Sequence, residues 1–87
     1  MADKTVNNEF LQFAGEQSEV LEELLCYVEH HRWREAERAM GNIQPGAYEL
    51  EGWRDLLRIL RWQIEKKLET KSAETIRLLL AELRAEY

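Results

Sequence analysis

Eighty-seven residues, a third of them charged and 45% apolar, allow one modest core and leave no room for a separate catalytic domain. No apolar run approaches the ~20 residues of a membrane span, the polar stretch from Met1 to Asn8 has no apolar signal core, and Cys26 alone builds no disulfide framework. A single soluble domain over residues 1–87 is therefore expected, in the cytoplasm and without a membrane contact. The net charge of −5 is unevenly spread: residues 1–29 carry seven acids against one base, and residues 30–71 carry nine bases against seven acids. Arginines and glutamates are intermixed around Trp53 and Trp62, so nucleic acid, which needs a concentrated basic face, is not an expected partner.

The first apolar set is Phe10 and Phe13, then, past Gly15, Val20, Leu21, Leu24, Leu25 and Val28. Its spacing predicts either one long helix or two pieces with Ser18 as a cap between them, in which case residues 1–17 form a flexible arm or a short separate helix. His30 and His31 mark a joint. A second helix is predicted from about Arg32 to Ile43, with Trp33, Ala36, Met40 and Ile43 on one face. Pro45 and Gly46 follow as the strongest breaker, because proline removes a backbone donor and glycine frees the chain to turn.

The third predicted helix is the longest, from about Ala47 to Thr70, and carries the stripe Leu50, Trp53, Leu57, Leu60, Ile64 and Leu68. At about 100° per residue Trp62 projects opposite that stripe, one turn from Arg58 and Lys66 and leaning toward Ile59 and Leu56. This helix has two faces to bury. Trp62 is either packed against a second neighbour inside the fold, or part of a surface for a partner or for a second copy, which leaves a homo-oligomer open. Ser72 can cap a fourth helix with the stripe Ala73, Ile76, Leu79, Leu80, Leu83 and Tyr87. Alternating strand patterns are absent, and short connections favour antiparallel neighbours. The expected fold is all-α: two stacked antiparallel helical hairpins of about four helices, either tetratricopeptide-like or a small helical bundle.

The stretch from Leu24 to Pro45 resembles one degenerate tetratricopeptide unit, with Tyr27, Trp33 and Ala36 at the family's aromatic and small-residue places. Met40 stands where a larger aromatic is usual, Pro45 comes a few residues early, and Leu24 and Leu25 occupy the region of the family's glycine, so close helix approach is in doubt. A second, stretched unit would open at Trp53 and use Ala73 as its small residue. This resemblance covers about half the chain. It implies a peptide- or helix-binding adaptor, and the small size with long last helices is similar to the small helical chaperones of bacterial type III secretion. Such a chaperone needs an apolar groove that substitutes for its client's missing partners.

Catalytic signatures are absent: no Gly-rich phosphate loop, no nucleophile elbow and no His-Glu-x-x-His pair, so no enzyme and no cofactor are expected. Glu22, Cys26 and His30 fall one turn apart, but no fourth ligand is spaced for a closed zinc site, and no metal is expected. Asp55 with Arg58 and Arg61 with Glu65 are spaced for helical ion pairs. Protein binding is what remains. The candidate contact residues are Leu56, Ile59, Trp62 and Lys66, with Trp53, Leu57, Leu60 and Ile64 assigned to the core. The alternative is a small acidic inhibitor of the phage type, whose Glu16, Glu19 and Glu23, spaced at three and four, form a negative ridge that blocks a basic or nucleic-acid-binding surface of a host enzyme.

Overall fold

The computed structural model describes residues 2–44 and 52–85, with side chains for 9–44 and 52–84. These residues form four helices: α1 (Ala2–Glu29), α2 (Trp33–Met40), α3 (Trp53–Glu65) and α4 (Glu69–Ala85). Among the described residues there is no strand. The main packings are α1 on α2, α2 on α3, α3 on α4 and α4 back on α1, which closes a small bundle of two hairpins.

Cross-helix contacts fix the directions. The Gln44 amide beyond the end of α2 reaches Gln17, midway along α1, so α2 runs back along it. Glu29 near the end of α1 pairs with Arg77 of α4 at 3.7 Å, and Phe13 lies 6.1 Å from the Trp53 ring that opens α3. The order is therefore up, down, up, down.

Each helix buries the stripe that its spacing dictates. From α1 come Phe13, Leu21, Leu24 and Val28; from α2, Ala36, Ala39 and Met40; from α3, Trp53, Leu57, Leu60 and Ile64; from α4, Ile76, Leu79, Leu80 and Leu83. At 25 cal/mol per Å² or so, a fully buried Trp or Leu is worth roughly 2 to 3 kcal/mol against exposure. The buried indole of Trp53 also satisfies its polar atom, donating from Nε1 to the Gln44 carbonyl at 2.9 Å, while the Gln44 amide donates to Gln17 Oε1 at 3.0 Å. The backbone of one residue, Gln44, thus joins α1, the exit of α2 and the start of α3.

Both hairpins turn by the same device. After α1, His31 takes a left-handed φ of 57°, its amide donates to the Val28 carbonyl (3.1 Å) and the Arg32 amide to that of Tyr27 (2.7 Å). After α3, Lys67 has φ 57°, its amide donates to the Ile64 carbonyl (3.0 Å) and the Leu68 amide to that of Gln63 (3.0 Å). These are Schellman closures, which satisfy the last carbonyls of a helix and usually place glycine at the left-handed position. The two turns meet at one end of the bundle, where His31 Nε2 donates to Glu69 Oε1 at 2.5 Å and the His31 ring stacks on Trp33.

Several expected boundaries move. α1 passes through Gly15 and Ser18 as a single helix, so Ser18 caps nothing. α2 stops at Met40, three residues short of Ile43; Gly41, Asn42 and Ile43 then bond three residues back and still bury the Ile43 side chain. α3 ends at Glu65 and not at Thr70, because Lys67 turns left-handed, and Thr70 and Lys71 belong to α4. Ser72 lies inside α4, with its Oγ buried and unpartnered among the described residues; Leu68 is the residue whose carbonyl opens that helix, accepting from the Ser72 amide at 2.9 Å. α3 also begins later than the expected Ala47, at Trp53, because Gly52 before it takes a left-handed φ of 83°. The breaker at Pro45 and Gly46, residues 47–50 of the expected helix, and Tyr87 lie outside the described residues.

Candidate functional site

With Trp53, Leu57, Leu60 and Ile64 turned inward, the outer face of α3 is set by helical rotation alone. Trp62 falls about 180° from the core direction and is 53% exposed. Ile59, 47% exposed, sits one turn before it on the side toward α4, and Lys66 is exposed one turn after it as the residue that closes the helix. Leu56 is different. It is half-buried and packs against the core, so it forms the shoulder of this face and not its crest.

α4 carries a large apolar residue outside its expected stripe. Leu78 is 56% exposed. Thr75 Oγ1 donates to Gln63 Oε1 at 2.7 Å, and this buried bond sets the antiparallel level of α3 against α4. Counting four residues back along α3 and four on along α4 brings Ile59 and residue 79 level, with Leu78 on the flank of α4 that carries Thr75. Among the described residues, Ile59, Trp62 and Leu78 are three of the four exposed large apolar side chains; the fourth, Leu11, is on α1. The outer face of the second hairpin is accordingly apolar at its crest and rimmed by Arg58, Lys66 and Lys71 on one set of turns and by Asp55 and Glu74 on the other.

The acidic candidates lie across the bundle, on α1, which is diagonal to α3. Glu16, Glu19 and Glu23 are all exposed on the side of α1 away from Leu21 and Leu24. Gln12 Nε2 donates to Glu16 at 3.3 Å, and the Tyr27 hydroxyl donates to Glu23 at 3.0 Å. That hydrogen bond, partial burial and the nearby Glu23 and Glu35 carboxylates hold the phenol's pKa above its ordinary 10.0, against the lowering effect of Arg32. The acids form a ridge on a helix and enclose no cleft.

Cys26 and His30 do come together, with Sγ 3.6 Å from Nδ1. His30 Nδ1 is closer to the Cys26 carbonyl, at 2.8 Å, and since a carbonyl only accepts, Nδ1 carries the proton there. The imidazole thus caps a terminal carbonyl of α1. Glu22 does not join them: among the described residues no three His, Cys, Asp or Glu side chains gather in a metal-holding group. Of the ion pairs expected along α3, neither Asp55 with Arg58 nor Arg61 with Glu65 forms; the pairs among the described residues are His31 with Glu69, Arg32 with Glu35, and Arg77 with Glu29. No described helix is long and apolar enough to cross a membrane.

Fold and surface together define, over the described residues, a small all-α bundle whose second hairpin exposes apolar side chains. Comparison with family models, with curated proteins and with solved structures gives no match for this chain.

Proposed function

We propose that this chain is a non-enzymatic protein-binding module, an adaptor or chaperone of the cytoplasm that holds a helical or extended client on the outer face of α3 and α4. The observation that carries the reading is the exposure of Trp62 beside Ile59 and Leu78. A half-exposed indole contributes little to a monomer's core, whereas tryptophan at the centre of an apolar patch is the residue type that most often dominates a binding surface. A client helix with apolar residues at three- and four-residue spacing would cover the crest, and the resemblance to small secretion chaperones fits a client kept from aggregating before delivery.

The test has two stages. A tagged chain captures its client from cells, and the purified client is then titrated against wild type and Trp62→Ala. A loss of about 2 kcal/mol in affinity, roughly thirtyfold, with an unchanged melting temperature is the expected result. A client bound equally well by a Trp62→Ala, Ile59→Ala, Leu78→Ala triple variant sinks the proposal. The second reading, an acidic inhibitor, is favoured by the outward exposure of Glu16, Glu19 and Glu23. Its affinity for a basic host enzyme would fall steeply with salt, while binding centred on Trp62 would not.

A further inference from the structure

Along the edge of α3 that faces α2, Arg54, Arg58 and Arg61 are exposed, and none has an ion pair or hydrogen bond among the described residues. They rim an open groove of about 430 Å³ whose floor includes Met40, Ile43 and Leu57. Three guanidinium groups, unpaired among the described residues and at steps of four and three, make a basic row about 10 Å long, continued four residues on by Glu65. The acidic ridge of α1, read backwards, has the same steps: Glu23, Glu19, Glu16, then Gln12. Laid antiparallel, Arg54 meets Glu23, Arg58 meets Glu19 and Arg61 meets Glu16, with rises of about 6 and 4.5 Å on both helices. The register continues correctly past the charges, because the single acid of the α3 row, Glu65, meets the neutral amide of Gln12.

From this match of spacing and sign we infer that the arginine edge of α3 receives the acidic face of α1 from a second copy of the chain. Within one bundle α1 and α3 are diagonal and approach through the inward-facing Phe13 and Trp53, whereas Glu16, Glu19 and Glu23 are on the side of α1 away from the core, so the contact with the arginine edge is intermolecular. Every copy carries both halves of the contact on different sides of the bundle, so copies join head to tail, each giving one half to each neighbour. The surface is distinct from the Trp62 crest, and the inference does not depend on the proposed client.

The experiment is light scattering of the purified chain over a hundredfold concentration range at low and high salt, with two charge-reversed variants. One carries Arg54→Glu, Arg58→Glu and Arg61→Glu; the other carries Glu16→Arg, Glu19→Arg and Glu23→Arg. Wild type is expected to self-associate, at least about tenfold more weakly when NaCl rises from about 0.05 to about 0.5 M. Each variant alone, now of one sign on both faces, is expected to be monomeric, and an equimolar mixture of the two to associate again. Should either triple variant lose its helical circular dichroism, Arg58→Glu and Glu19→Arg replace them as single changes. A wild type that stays monomeric at low salt overturns the inference, and so does association that survives salt and both reversals, which would belong to the apolar face. Trp62→Ala leaves the salt-sensitive association intact, so this inference and the proposed function fail separately.

Discussion

The two hairpins are alike at their turns and opposite on their outer faces. α1 and α2 close through His31, α3 and α4 through Lys67, each with φ 57° and the same pair of backbone bonds. Outward, α1 of the first hairpin shows glutamates, whereas the second shows Ile59, Trp62 and Leu78. Closing the turn and presenting a face are thus separate tasks in this molecule. The backbone bonds of the turn use no side chain of the outer face, so those faces are free to differ without disturbing the hairpin.

The largest test of that separation compares two tryptophans of one helix. Trp53 is 1% exposed and packed against Phe13, so Trp53→Ala is expected to lower stability by about 3 to 5 kcal/mol. Trp62→Ala should lower it by less than about 1 kcal/mol. Urea unfolding followed by circular dichroism measures both, and equal losses would mean that the outer face is part of what holds the bundle together. A smaller effect separates the turns. Lys67 has no side-chain bond or ion pair among the described residues, so Lys67→Gly removes a left-handed strain of about 1 kcal/mol and should raise stability by nearly that much. His31→Gly relieves the same strain but forfeits the bond to Glu69 and the stacking on Trp33, so its gain is expected to be smaller or absent. Equal gains in thermal midpoint would make the two turns equivalent after all.

The smallest effect is confined to the first hairpin. Because the Tyr27 phenol is held above its ordinary 10.0, its contribution is fully present below that pH and is lost as pH rises through the folded value. Stability measured across the alkaline range should therefore fall more steeply for wild type than for Tyr27→Phe. Parallel curves would remove the Glu23 bond from the energetics of α1.

Periodicity made much of this legible from sequence. It separates Trp53, Leu57, Leu60 and Ile64 from Trp62 because 3.6 residues per turn leaves no other arrangement once the helix exists. What it could not locate was the end of α3. A lysine in the left-handed region has no compositional mark, and the Schellman bonds that hold it there are made by the backbone. Ser72 misled for a related reason: a hydroxyl near a helix start reads as a cap, yet the preceding turn had already begun the helix three residues earlier. Leu78 was hidden in the run Leu78, Leu79, Leu80, where one stripe needs only two of the three; the surplus leucine was the available signal for the second apolar helix face.

The backbone of Gln44, held at its amide by Gln17 and at its carbonyl by Trp53, bears on how the molecule comes apart. A bundle of two hairpins with short internal turns would be free to open like a book, each half retaining its own pairing. Here the two halves share a single main-chain unit whose donor is held by the first and whose acceptor is held by the second. Opening the book frees the indole nitrogen of Trp53 and the Gln44 carbonyl together with the largest side chain of the core. Parting the hairpins therefore costs the same bonds and burial as melting the core, and a single unfolding transition is the expected outcome.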